Sequence, residues 1–259
     1  MYSNIYLKDF KIKQEDIIQP ERIENLCKYY NFKLMRLHEI NKIRHFPDNK
    51  YFFDLGDNPF DNSLLNKLIN SNAKIITLNN WAKTDSRVHS TLHGVPDSRY
   101  QVVGNLDVIV EQFKKEKFYN NNLIYMNFLI SENRGKHERN IVYNKFINKD
   151  YVTIGKHERN HNGHRKFIEE IYNHKFVLAP WGNGIDTHRL WMTLYLGSIP
   201  IVKYHKVYEQ FKHLPILFVN DWDEITPNYL NKSFDEIHSK KYDMQIITMP
   251  YWKDLCARL

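Results

Sequence analysis

The feature that most constrains this chain is a rhythm in its second half. Short uninterrupted apolar runs alternate there with stretches of helical spacing. LIYMNFLI (residues 123–130), DYVTIG, KFVLAP (175–180), SIPIVKY and PILFV read as strands. Helical spacing falls over residues 138–146, KFIEEIYNH (166–174), THRLWMTLYLG and VYEQFKHL. Strands that are apolar on both faces, separated by helices, predict a parallel sheet covered on both sides. The helix of THRLWMTLYLG is apolar nearly all round, from Leu190 to Leu196, and is expected to be buried.

The first half carries the same signature less clearly. PERIENLCKYY (20–30) has helical spacing with proline in its first turn, and SLLNKLIN (63–70) has leucines at helical spacing behind a serine cap. KLMRL, YFFDLG and KIITLN, from Lys33, Tyr51 and Lys74, read as strands. The polar stretch FKKEKFYNNN (113–122) marks a seam between the halves. The expected fold class is therefore α/β, with two Rossmann-like lobes facing a central cleft: residues 1–115, the shorter, and residues 116–259.

Composition narrows the function classes. At 259 residues, with 42% hydrophobic and 14% aromatic content, the chain can bury a sizeable core, and global disorder is not expected. No apolar run approaches a bilayer span, and the opening MYSNIYLKDFKIKQED is too polar for a secretory signal. Cys27 and Cys256, the only cysteines, offer neither a disulfide framework nor a metal knuckle. These features predict a soluble protein of the reducing cytoplasm, without a transmembrane segment. The net charge is +7, and residues 133–175 hold ten Lys/Arg, five Asp/Glu and five of the thirteen histidines. Such a patch fits nucleic acid, an acidic polymer or a phosphorylated small molecule. No aromatic–basic motif accompanies it, so nucleic acid is not expected.

Two motifs lie in this region. GKHERN occurs at residues 135–140 and again at 155–160, with flanks, IVYN and HNGH, that do not align. The second copy contains HERNH, His157 to His161, which fits the zinc-protease spacing H-E-x-x-H. That chemistry needs both histidines on one face of a regular helix. Asn160, Asn162 and Gly163 are poor helix formers, so no metal site is expected there.

PWGNGIDTHRLW (180–191) is the stronger signal. It places two of nine glycines two residues apart, at the C-terminal end of a predicted parallel strand and before a helix start. A glycine turn lets backbone N–H groups approach a phosphate, and the helix N-terminus favours negative charge. Asp186 is expected to cap this helix, and Arg189, near its third position, to reach back to a diphosphate with paired donors. A cation in a first turn has the wrong sign for the helix dipole unless an anion docks there. The pattern is neither a Walker loop nor a GxGxxG fingerprint.

The run FVLAPWGNGIDTHRLWMTLYLGSIPIV (176–202) resembles the C-terminal motif of exostosin-like glycosyltransferases, roughly F-x-L-x-P-R-G-x-G-x-D-x-x-R-x-W-E-A-L-x-x-G-x-I-P-I-V. YMNFLISENRGKHERNIVYN (125–144) is similar to that family's strand–Asn–loop–Arg segment, and LHGVPDSRYQVVGNLDVI (92–109) to its lobe-junction stretch. The resemblance covers residues 92–202. It implies the two-lobed, B-type glycosyltransferase architecture, with an acceptor side in residues 1–115 and a nucleotide-sugar donor side in 116–259. It implies transfer of a sugar from a nucleotide diphosphate sugar to a hydroxyl of a glycan or glycoconjugate, with no metal and no further cofactor. The alternative expectation is a catalytically inactive sugar- or nucleotide-binding protein of the same fold.

The donor-binding residues expected from the motif and the resemblance are Asn127, Arg134, Arg139, Trp181, Gly182, Asn183, Gly184, Asp186, His188 and Arg189. His93 and Asp97, in the junction stretch, are the candidates for the base that deprotonates an acceptor. Two positions depart from the pattern. Trp181 replaces its arginine and is expected to stack on a base or sugar. Met192 replaces the acidic residue that would hold the donor ribose. A thioether cannot take two hydroxyl protons, which leaves that contact to another group such as Asp186.

Overall fold

A computed structural model describes residues 12–58, 62–78, 85–119, 123–130 and 135–259. Among these residues the chain forms two parallel sheets. The first is four-stranded, in the order β1 (Lys33–Arg36), β2 (Lys50–Asp54), β3 (Lys74–Leu78), β4 (Val88–Thr91). The second contains β5 (Ile124–Met126), β6 (Val152–Ile154), β7 (Phe176–Leu178), β8 (Ile199–Lys203) and β9 (Leu217–Val219), in the order β6-β5-β7-β8-β9. By position in the chain that order is 2-1-3-4-5. The connection therefore reverses direction between β5 and β7, the switch point where open α/β sheets leave a crevice at their C-terminal edge.

The helices are α1 (Pro20–Tyr29), α2 (Leu37–Ile40), α3 (Asn62–Asn66), α4 (Asp107–Phe113), α5 (Lys136–Phe146), α6 (His161–Asn173), α7 (His188–Tyr195), α8 (Pro227–His238) and α9 (Met249–Arg258). Alternation along the strands explains why both sheet faces are covered. Ile124 and Met126, Phe176 and Leu178, and Ile199 and Ile201 enter one apolar cluster with Trp222 and Phe234. Their neighbours Tyr125, Val177 and Val202 enter another, with Trp191, Leu194 and Tyr195 of α7. That second cluster also takes Phe52 and Ile76 of the first sheet, so one continuous core touches both sheets. The chain's last helix packs on α1, bringing buried Cys27 and Cys256 into contact as free thiols. A division at residue 115 separates the sheets but not the helices around them.

Several elements differ from the sequence expectation. LIYMNFLI is a strand only to Met126, because the backbone turns out of the sheet at Asn127. VYEQFKHL forms a 3-10 helix, Lys206–Phe211, capped by His205 Nδ1 accepting from Val207 N–H at 3.2 Å. The SLLNKLIN helix ends at Asn66 in turns that run to Asn70, which adopts φ +61°. The helix expected from Lys166 begins at His161, with Asn162 and Gly163 inside it. Asn160 overrides their poor propensity by capping, its Oδ1 accepting from Gly163 N–H at 2.7 Å. The short strand β4 and the helices α2, α4, α8 and α9 were not expected from periodicity. No helix among the described residues is long and apolar enough to cross a membrane.

Candidate functional site

A cavity of about 530 Å³ lies at the switch point. That size falls within the range of small-molecule sites. The loops after β5 and β7 and the starts of α6 and α7 supply one wall, including Asn127, His164, Gly182 and Arg189. Loops after β2 and β4 supply the other, with Asp57, His93 and Tyr100. Strand ends fix these positions, since both sheets point their C-terminal edges at the same space.

The glycine turn is shaped by what approaches it. Gly182 N–H donates to Gly184 O at 3.0 Å, closing the turn. A Cβ on Gly182 would stand 2.7 Å from Arg139 Nη2, so this position must be glycine for the guanidinium to lie against it. Arg139 projects from the first turn of α5. Its Nε donates to Trp181 O at 2.8 Å and its Nη1 to Leu129 O at 2.7 Å. Burial lowers its pKa.

Arg189 is the second residue of α7, not the third. It is placed between the rings of Phe128 and Phe167, with Cζ 5.7 and 5.9 Å from their centroids. Among the described residues it has no carboxylate partner, and its Nε makes no hydrogen bond. Burial first, then repulsion from Arg139, lowers its pKa to about 9. Two guanidinium groups thus disfavour each other's charge in a partly desolvated cavity, the arrangement an anion relieves. The opposite end of α7 makes the contrast clear. There burial pushes the Lys117 pKa well down, and its Nζ donates to Leu196 O at 2.9 Å, Gly197 O at 2.7 Å and Ser198 Oγ at 2.8 Å. Lys117 sits at the negative end of the helix dipole with three acceptors around its Nζ, whereas Arg189 sits at the positive end with no hydrogen-bond or carboxylate partner among the described residues.

Asp186 does not cap α7. Thr187 occupies the N-cap position without a side-chain cap bond. Asp186 is buried, with Oδ2 accepting from His93 N–H at 2.8 Å and Oδ1 from Trp191 Nε1–H at 2.5 Å. Each oxygen takes one of these bonds, so Asp186 braces the loop after β4 against α7 while lining the cavity. Burial raises its pKa to about 7, partly offset by the N–H groups of His93, Trp191 and Thr187. The Trp181 indole packs edge-on against His205, 5.6 Å between centroids, and its carbonyl accepts from Arg139 Nε–H.

Among the expected bases, His93 lines the cavity and Asp97 does not. Asp97 is ion-paired with Arg99 and accepts from Glu21 N–H at 2.9 Å, so its carboxylate anchors the start of α1. His93 stacks edge-on with His188 at 4.0 Å, and His188 Nδ1 lies 2.8 Å from Gly94 O. Burial holds both rings neutral, lowering His93 to about 4 and His188 to about 3. Asn127, Gly182, Asn183, Gly184, Asp186, His188, Arg139 and Arg189 all line the cavity, and Arg134 lies outside the described residues. HERNH is not helical: His157 stands in a segment without regular secondary structure, and His161 is the first residue of α6. Its histidines therefore do not share a helix face.

Sequence reasoning missed Asp57, His164, Phe167 and Thr187, and treated Met192 only as a departure; all line the cavity. The signal for His164 was its place in a first helical turn after a parallel strand, the same context as Arg189. Six buried side-chain N or O atoms have no hydrogen-bond partner among the described residues. Four of them, Asn127 Oδ1, His164 Nε2, Thr187 Oγ1 and Arg189 Nε, belong to residues of this one cavity. Buried polar groups are paired in the great majority of cases, so this concentration makes the cavity the candidate site. No protein-family model matches the chain, and no curated protein matches it.

Proposed function

We propose that the protein is a glycosyltransferase that moves a sugar from a nucleotide diphosphate sugar to a hydroxyl of a glycan or glycoconjugate, as the resemblance to exostosin-like enzymes implies. The observation that carries this reading is the cation pair Arg139 and Arg189, beside the Gly182–Gly184 turn and unmatched by any carboxylate among the described residues. The two guanidinium groups would hold the diphosphate and stabilise its growing charge as the bond from the sugar carbon to the phosphate oxygen breaks. With that charge met by arginine, the reaction needs no divalent ion.

In this reading the two sheets belong to two lobes, with the donor on the β5–β9 side and the acceptor on the β1–β4 side. His93 reaches the cavity from the acceptor side, where Asp97 does not, and is the preferred base. Met192 supports a second reading, a binding protein of the same fold without turnover, because it gives the ligand no hydroxyl acceptor. Release of nucleoside diphosphate from a nucleotide sugar separates the two.

The decisive test is Arg189→Met, which keeps an apolar stem between Phe128 and Phe167 and removes the charge. Calorimetric titration should show nucleoside diphosphate affinity falling by roughly 2–4 kcal/mol, while the melting temperature stays level or rises. A variant that binds diphosphates normally sinks the proposal.

A further inference from the structure

We infer that Asn127 and His164 form a hydroxyl-reading subsite next to the arginine pair, which takes a vicinal hydroxyl pair on a carbohydrate ring of the bound nucleotide sugar. This inference rests on the donor reading above and adds its polar, uncharged half.

The argument begins with the orientation of one amide. Asn127 is 4% exposed, and its Nδ2 donates to Tyr125 Oη at 2.8 Å and Lys156 O at 3.3 Å. A backbone carbonyl only accepts, so the nitrogen of the amide must be the end facing Lys156. The other end, Oδ1, is therefore a fixed acceptor, and it has no partner among the described residues. Gly155 lets the strand end close over this pair: a Cβ there would stand 2.3 Å from Tyr125 Oη and 2.7 Å from Asn127 Nδ2.

His164 presents a second such atom. It is 4% exposed on the first turn of α6, and its Nε2 has no partner among the described residues. Burial keeps the ring neutral, with a pKa lowered to about 4, so Nε2 either donates or accepts but carries no charge. Its ring leans on Phe167, 6.5 Å between centroids, and Phe167 also flanks the Arg189 guanidinium.

The chemistry of these two atoms selects the ligand group. A phosphate oxygen has no proton to give, so it cannot satisfy Asn127 Oδ1. An ammonium group would meet the field of Arg139 and Arg189. What remains is a neutral group that gives one proton and exchanges a second, and adjacent hydroxyls do both. Ribose carries such a pair, and so does a transferred hexose.

Titration calorimetry on the full chain tests this with inorganic pyrophosphate, uridine and guanosine diphosphates, their 2′,3′-dideoxy forms, and UDP-glucose and GDP-mannose. The variants are His164→Phe, which keeps the ring against Phe167, and Asn127→Ala, with melting curves for both. Pyrophosphate should bind wild type and variants alike. If ribose supplies the hydroxyls, wild type should prefer a ribonucleotide to its dideoxy form by about tenfold, and both variants should erase that preference. If the transferred sugar supplies them, the tenfold preference should be for a nucleotide sugar over its nucleoside diphosphate, and again the variants should erase it. Nucleotides that bind with neither preference, or preferences that survive in both variants, overturn the subsite while leaving the diphosphate reading intact. Failure of pyrophosphate and of every nucleotide to bind overturns the diphosphate reading itself, and the subsite with it.

Discussion

Residues 135–140 and 155–160 carry the same six residues, GKHERN, in two conformations. In the first copy Lys136 to Asn140 form the opening turns of α5. In the second, residues 155–159 run without helix, and only Asn160 meets one, as the N-cap of α6. Helix propensity within the hexapeptide is identical, so the residues C-terminal to each copy decide. IVYNKF places Val142 and Phe146 on a buried stripe directly behind the first copy, and the helix is drawn back over GKHERN. HNGHRKFIEEI puts Ile168 and Ile171 further on, and Asn160 stops the helix short. Each residue thereby takes a different task. Arg139 braces the glycine turn, whereas Arg159 is exposed; Glu138 accepts from the buried indole of Trp222 at 2.7 Å, whereas Glu158 pairs with Lys156 at 3.1 Å on the surface.

The arginines should separate the copies most. Arg139→Ala is expected to weaken nucleoside diphosphate binding by roughly 2–4 kcal/mol in calorimetric titration, and Arg159→Ala to leave it unchanged. Equal losses would mean that the anion site is a diffuse basic surface.

The glycines come next. A Cβ at Gly135 would stand 2.5 Å from Trp181 O and 2.6 Å from Gly182 O, both backbone atoms. Gly135→Ala should cost roughly 3 kcal/mol in denaturant unfolding, the upper part of the range for overpacking. At Gly155 the obstacles are the tips of Tyr125 and Asn127, which can shift, so Gly155→Ala should cost about 1 kcal/mol.

Glu138→Ala leaves Trp222 Nε1 buried without its acceptor and should destabilise by about 1–3 kcal/mol, at the lower end if water reaches the indole. Glu158→Ala removes one exposed ion pair and should stay within about 0.5 kcal/mol of wild type. The same thermal melts read both.

The asparagines should differ in sign as well as size. Asn160→Ala removes the cap of α6 and should cost about 1 kcal/mol. Asn140 lies inside α5, where alanine is the better helix former, so Asn140→Ala should be neutral or stabilise by a few tenths of a kcal/mol. A loss at Asn140 as large as at Asn160 would show that the copies are less distinct than their backbones.

The parts of the fold legible in the sequence are those whose signal is local. Uninterrupted apolar runs gave β2, β3 and β7–β9 to within a residue or two, because a strand buried on both faces must be apolar along its whole length. This signal overran β5, since Asn127 to Ile130 continue the apolar run after the backbone has left the sheet. At the site, the glycine turn and Arg189 stood out because glycine spacing and a misplaced cation are readable in a single segment. His164 did not, being an ordinary helix residue until burial and the loss of partners are known.

The sequence by itself determined that this chain is built of parallel strands and covering helices, and it singled out one βα turn by its paired glycines and first-turn arginine. Periodicity and backbone chemistry act over a few residues, so they survive without a structure. Only the tertiary structure decided that Arg139 braces the glycine turn, that Asp186 braces two segments instead of capping one, and that Asp97 anchors α1. Each of those outcomes depends on a partner far along the chain: His93 for Asp186, Glu21 for Asp97, and Trp181 for Arg139. Burial and hydrogen-bond satisfaction are properties of such pairs, and no single segment of the sequence contains them.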